Sequence, residues 1–556
     1  MKKMLIALLL ALTLIVSAVP SFAEEAPKEL KFVYIDGWSS VDDGDTTSAI
    51  TQKIAEETGV IISPITAGGD RGTILLSSGE IGDCLMVYNA TMLKTCVENG
   101  MMLDLSTLVS EEKTPAILSN PDRIQMAQVL SETDDGSYYF LPVQCGSEGA
   151  PMTPYHSLFN VRWDLYKQMG YPEVTDTDSM LALLSEMQKL NPTTEDGKTV
   201  YGYSLELGNF RNAYWPWHYT FGYYTSNDFI STNINTGEMV YEPLDENSPM
   251  WSFLEYLNKA YKAGLFDPDS FTQTGDDMKA KIAAGQVLSP IWASDGVQYE
   301  AANPNTAEEF RGFQTLPVEG TTYWCNSYYN GGWDACFVGI PANSSDPEAA
   351  LRVLEYLSTD DGARLVDSGI QGVHWDYDEN GVPTLTDEII EAYNSWSDVF
   401  VDSCIQDAIF GTLTAMGNGE LHSDGYPVNL FMTEQVYTRE LSACDKDYCD
   451  YYGVSYPMKL FLNKMEEGTI HDHINDIFDM RVVTGMGSAP EDIARIDETI
   501  VNKAKDMLPT IIMAEDFEAT KAECLKTLWS YNAQEARDWW QARHDSLTEL
   551  FTGRTK

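Results

Sequence analysis

The sequence predicts an α/β protein with two lobes around a cleft, its parallel-type sheets flanked by helices. Three observations carry this expectation. A chain of 556 residues is longer than one hydrophobic core supports. Apolar runs and helical periodicities alternate as β-α-β-α-β over residues 30–88, the rhythm of a parallel sheet covered by helices. The stretch 322–341, TYWCNSYYNGGWDACFVGIP, sets Tyr323, Trp324, Tyr328, Tyr329 and Trp333 among small and polar residues, ahead of an apolar strand at 335–340. It reads as a crossing between lobes that leaves aromatic rings in the cleft.

Composition narrows the class. Hydrophobic residues at 44% and charged ones at 22% are those of a globular chain. A formal charge of −50 disfavours nucleic acid and anionic surfaces, whose binding needs Lys and Arg against phosphates. Lys2 and Lys3, the short apolar run 4–16 and Ser21-Phe22-Ala23 form a signal peptide, residues 1–23, so an exported mature chain is expected from near Glu24. No cysteine follows the cleavage point, the first being Cys84, and no later run reaches the roughly 20 apolar residues of a membrane helix. Nine cysteines leave at least one unpaired in a monomer. Cys84/Cys96, Cys325/Cys336 and Cys444/Cys449 are candidate pairs whose connectivity stays open. There is no C-x-x-C pair and hence no zinc or redox motif.

In chain order, 30–35 is a strand, 46–58 a helix stopped by Gly59, and 60–65 the second strand. Gly68-Gly69-Asp70 opens a helix closed by Gly79 before strand 84–88. Ligands of such sheets collect beyond the carboxyl ends of the strands, which places Trp38, Asp70, Tyr88 and Asn89 at the expected site. Residues 137–143 read as a strand into the second lobe and 158–163 as another, followed by helices 164–169 and 180–190. Trp215, Trp217, Tyr219, Phe221 and Tyr223 alternate at period 2, which puts five rings on one face of an extended segment. Helix 250–261 follows i, i+3, i+4, i+7 spacing and ends at Gly264. Helix 276–284, strand 287–292 and an Asp346-capped helix come next, and 497–507, 515–528 and 531–546 are helical.

Several segments share a known pattern in order and spacing: GGDRGTILLSSGEIGDCLMV (68–87), GSYYFLPV (136–143), NVRWDLYKQMGYPEVTDTDSM (160–180), KAYKAGLFDPDSFT (259–272) and DPEAALRVLEYLSTDDGARLVDSGIQGVHWDYDENGVPTLT from Asp346. Together they resemble the family 1 extracellular solute-binding proteins of ABC importers, in particular the large oligosaccharide-type branch, over about 30–400. The resemblance implies a type II periplasmic-binding-protein-like fold, a carbohydrate ligand, an ABC permease as partner, a monomer, and no catalysis or cofactor. It assigns 24–142 and about 330–400 to lobe 1, 143–329 and about 401–480 to lobe 2, and about 481–556 to a C-terminal helical segment. Two departures stand out. The lipobox cysteine is absent, and 191–202 (NPTTEDGKTVYG) lacks the Asp/Asn-rich calcium pattern carried by relatives that bind large uronate oligosaccharides.

Sugar recognition needs flat apolar faces for pyranose C–H groups and planar polar groups for hydroxyl pairs. The ligand-binding candidates are Trp38, Asp70, Tyr88, Asn89, Trp215, Trp292, Tyr328, Trp333 and Trp375, with Trp38, Trp292 and Trp333 preferred because each lies in or beside a loop after a strand. Asp70 reads equally as a helix cap and Trp375 equally as core. Asp376, Asp378, Asn380 and Asp387 match EF-hand spacing, but Pro383 and Asn380-Gly381 favour a hairpin over a calcium loop. His471 and His473 read as surface residues. HExxH, G-x-S-x-G and the P-loop are absent. The expected function is extracytoplasmic capture of an oligosaccharide for import. The alternatives are a peptide or other nutrient, or a secreted carbohydrate-active enzyme.

Overall fold

Strand β1 (Lys28–Ile35) is apolar on both faces, which requires it to lie inside a sheet covered on both sides. Leu30, Phe32 and Tyr34 enter one core and Val33 and Ile35 another, as the two-residue period of a strand dictates. The computed structural model describes residues 27–552 except 38, 89, 134, 147–156, 228, 305–308, 324–335, 412, 418, 440 and 473–478. In it β1 pairs in parallel with β2 (Val60–Ala67) and β3 (Cys84–Val87). The helix Ala49–Thr58 connects β1 to β2. Ser48 caps its start through Thr51 N–H at 3.1 Å, and Gly59 ends it at φ 71°, a left-handed position that suits glycine. The chain later returns as β11 (Phe337–Gly339), antiparallel to both β3 and β4 (Leu141–Pro142), giving the order β2-β1-β3-β11-β4. This is the first-lobe strand expected at 335–340.

The remainder is built from shorter sheets. β5 (Asn160–Arg162) pairs antiparallel with β9 (Phe313–Thr315), and β6 (Tyr223–Asn227), β7 (Ile230–Asn233) and β8 (Met239–Tyr241) form an antiparallel meander. β10 (Thr322–Tyr323) runs parallel to β14 (His471–Asp472). β12 (Trp375–Tyr377) and β13 (Pro383–Leu385) form the expected hairpin. Helices Glu491–Ile512, Phe517–Trp529 and Ala533–Thr552 complete the chain. They dock on the helix Pro249–Lys262 through Asn258, whose amide donates to the carbonyls of Ile512 (2.9 Å) and Ala514 (2.8 Å). Asp497 adds a second tie, accepting from Tyr241 Oη at 2.6 Å and from Nε1 of the fully buried Trp540 at 2.9 Å. Among the described residues no helix is long and apolar enough to cross a membrane.

Several expectations are corrected. Residues 215–223 are not one extended face: Phe210–Thr220 is a helix, because Phe210, Ala213, Tyr214 and Trp217 bury an i, i+3, i+4, i+7 face. The strand read at 137–143 is reduced to β4. Residues 287–291 pair only locally, with Leu288 N–H donating to Tyr201 at 2.9 Å, before Trp292 caps a short 3₁₀ turn. Phe400, Ile405, Ile409, Phe410, Leu430 and Phe431 share a core with Leu30, Phe32 and Tyr34 of β1 and with Cys84 and Met86 of β3. Cys84/Cys96 and Cys444/Cys449 are buried thiols rather than disulfides. The first two lie in different cores. The second two share the helix Ala443–Tyr452 five residues apart, about 140° around its axis. Cys325 lies outside the described residues.

Candidate binding cleft

The loops at the carboxyl ends of β1, β2 and β3 are fixed by their own polar groups. Asp36 adopts φ 56°, and its Oδ1 accepts from Gly69 N–H at 3.0 Å, joining the loop after β1 to the helix Gly69–Ser78. Gly37 has no alternative, since a Cβ there would stand 2.1 Å from the Tyr34 ring. Tyr34 in turn lies 6.5 Å, centroid to centroid, from the half-buried Tyr88. Asp43 accepts from Thr66 N–H at 2.9 Å and from Arg71 at 2.5 Å, closing the acidic loop over the end of β2. Asp407, itself 4% exposed, accepts from Ser39 Oγ (2.6 Å), Ser40 N–H (2.8 Å) and Ser40 Oγ (2.5 Å). Sequence spacing gave no signal for this contact, which links positions more than 360 residues apart.

A second group is built on the helix Phe210–Thr220. Its solvent side carries Trp215 and Tyr219, one turn apart and half-buried. Pro216 lacks an N–H, so the Asn212 carbonyl four residues earlier has no helical donor. That carbonyl instead accepts Trp292 Nε1–H at 2.9 Å. The result is a row of rings: Trp292 to Trp215 at 6.4 Å and 77°, Trp215 to Tyr219 at 6.4 Å and 45°, Tyr219 to Tyr224 at 6.0 Å and 58°. The Arg211 guanidinium covers the Trp215 ring at 4.7 Å. Partly exposed edges and faces beside a cation and amides match the chemistry of polyhydroxylated rings.

No protein-family model and no curated protein matches the sequence. Among solved structures, the chain is similar to the alginate-binding protein AlgQ2, at 12% identity and TM-score 0.58 over 94% of this chain and 98% of that one. It is similar to an HMO-binding, ABC-transporter-associated solute-binding protein from Bifidobacterium longum infantis, at 14% identity and TM-score 0.57 over 94% and 99%. A third is an EF-hand mutant of the S. pneumoniae ABC-transporter substrate-binding protein FusA in complex with fructo-nystose, at 14% identity and TM-score 0.58 over 95% and 100%. The chain has the two-lobed solute-binding-protein fold.

Within the solute-binding-protein fold the sequence candidates fall into four groups. Trp215 and Trp292 are brought into contact, and Asp70 and Tyr88 stand at the carboxyl ends of the first sheet. Asp70 is exposed and does not cap its helix, whose N-cap is Gly68. Trp38, Asn89, Tyr328 and Trp333 lie outside the described residues. Trp375 is elsewhere: 6% exposed, it donates Nε1–H to the Gly369 carbonyl at 3.0 Å and lies under the Arg364 guanidinium at 5.3 Å. It lines a groove of about 650 Å³ with Tyr356, Arg364, Tyr377 and His422.

The carboxylates with EF-hand spacing do not converge. Asp378 accepts from the N–H groups of Asn380 and Val382 at 2.8 and 2.9 Å within the hairpin turn, and Asp387 pairs with Arg439 at 2.5 Å. Among the described residues three potential His or carboxylate ligands meet only at Asp360, Asp361 and His422. There His422 Nδ1 lies 3.2 Å from both the Asp424 backbone nitrogen and Asp424 Oδ1, and Nε2 lies 3.0 Å from Asp361 Oδ1. This is a hydrogen-bonded imidazole rather than an open ligand. His471 lies exposed in β14, and His473 is outside the described residues.

Proposed function

We propose that this protein is an extracytoplasmic solute-binding protein that captures an oligosaccharide between its lobes and presents it to the permease of an ABC importer. The observation that carries the reading is the Trp292–Trp215–Tyr219 row, held in place by the Asn212 carbonyl that Pro216 leaves open. The neighbours named above for alginate, HMO and fructo-nystose support a sugar as ligand. Trp38, Asp70, Tyr88 and Asn89 supply the first-lobe wall of the cleft, Trp215 and Trp292 the second, and Tyr328 and Trp333 the crossing between them.

In this reading residues 1–23 are removed on export and the mature chain works as a monomer without catalysis or cofactor. Lobe 1 comprises residues from 24 to about 142 and from about 330 to 400. Lobe 2 comprises about 143–329 and about 401–480, followed by the C-terminal helical segment from about 481. Closure on the ligand converts differential affinity for the closed state into the signal the permease reads. Incubation with labelled oligosaccharides tests this: the sugar is recovered unchanged while the melting temperature rises with ligand concentration. Turnover of the sugar would identify a carbohydrate-active enzyme instead.

A further inference from the structure

We infer that Asp407 is a positioning residue for the cleft, setting the loop that leaves β1 and coupling it to the first crossing between lobes. The inference rests on the proposed binding function, because it assigns that loop to the ligand wall. Its physical basis is the number and direction of the bonds. One buried carboxylate takes Ser39 Oγ at 2.6 Å, Ser40 N–H at 2.8 Å and Ser40 Oγ at 2.5 Å, and its Oδ1 also accepts Ile409 N–H at 3.1 Å. Three donors come from the loop and one from Asp407's own segment, so the loop cannot shift without leaving a buried carboxylate underbonded.

That segment is rigid where it meets the core. Ile409, Phe410 and Leu413 are fully buried, Gln406 N–H donates to Val366 at 3.0 Å, and Ala415 N–H donates to Leu357 at 3.2 Å. Its far end grips the chain just beyond β4. The carbonyls of Thr414 and Ala415 accept from Gln144 and Cys145 N–H at 2.9 and 2.6 Å, and Gly417 N–H donates to Cys145 at 2.8 Å. Gln144 is held at φ 54°, a left-handed conformation that is strained for a non-glycine residue and persists only when its surroundings impose it. Among the described residues its buried side-chain Oε1 has no hydrogen-bond partner. One stretch of chain thus fixes both the β1 loop and a strained crossing residue.

The test compares the full-length mature wild type with Asp407→Asn and with the Ser39→Ala/Ser40→Ala double variant, which removes the loop hydroxyls without touching the core. Hydrogen exchange in the absence of ligand is expected to accelerate about tenfold or more in Asp407→Asn at both 39–41 and 144–146, with the helix Pro249–Lys262 unchanged. Both variants are expected to lose about tenfold in affinity for the oligosaccharide that wild type binds, and combining them adds little further loss, as for groups sharing one interaction. Unchanged exchange at 144–146, or wild-type affinity in both variants, would overturn the inference. If wild type binds no sugar, the proposed function fails, while the exchange data still decide the role of Asp407.

Discussion

At the scale of single residues, the aromatic row makes the sharpest demands. Trp215→Ala and Trp292→Ala each remove a flat ring from a half-buried position, and truncating such an anchor typically costs about 1–3 kcal/mol of binding. Each is expected to weaken oligosaccharide affinity about tenfold or more in a calorimetric titration, whereas Trp396→Ala, on a ring 60% exposed and distant in sequence from both, is expected to leave it unchanged. Two carboxyls make a separate prediction about pH. Burial pushes Asp367 up to about 7, its Oδ2 having no hydrogen-bond partner among the described residues, and burial together with the Asp445 charge pushes Glu300 up to about 7. Both values lie above those of the free side chains, so the folded state holds more protons across that interval. Their favourable contribution is complete at acidic pH and is lost as pH rises through about 7. Asp367→Asn and Glu300→Gln are therefore expected to raise the melting temperature at pH 8 by about 2 °C or more and to change it little at pH 4, which thermal denaturation at the two pH values checks.

At the scale of elements, the hairpin β12–β13 replaces what spacing alone offered as a calcium loop. Asp378 spends its carboxylate on the turn's own N–H groups, so Asp378→Ala is expected to destabilise the protein by about 1 kcal/mol, and a chelator is expected to leave the melting temperature unchanged. A drop on chelation that calcium reverses would restore the metal reading. The elements most legible in the sequence were those whose signals are local. Gly59, Asp346 and Gly264 mark ends of the helices they were expected to mark, and Asn380-Gly381 turns the hairpin. The aromatic helix was misread because period 2 in the rings coincided with a 3.6 period in Phe210, Ala213, Tyr214 and Trp217, and tertiary burial selected the latter. The pairing of Trp292 with Asn212 depends on an 80-residue separation. Pro216 inside a helix was the one local clue to it.

At the scale of the whole molecule, the sheet order β2-β1-β3-β11-β4 seats the returning strand β11 between β3 and β4. The chain just ahead of the C-terminal helices reaches the first sheet's helices. Arg481 pairs with Asp122 at 2.5 Å, and Thr91 Oγ1 meets Ser488 Oγ at 2.9 Å, contacts that lie beyond any sequence pattern because they join distant surfaces. The two-lobed plan was readable from alternating elements and collinear segments, whereas chain 401–431 carries no marker of which core it fills. Capture of a sugar between these lobes is the central claim. It is tested most directly by calorimetric titration of the mature protein with a panel of oligosaccharides, amino acids and peptides. Saturable one-to-one binding of an oligosaccharide, weakened in Trp215→Ala and Trp292→Ala, is the predicted result; saturable binding of peptides alone, or no binding of any oligosaccharide, would contradict it.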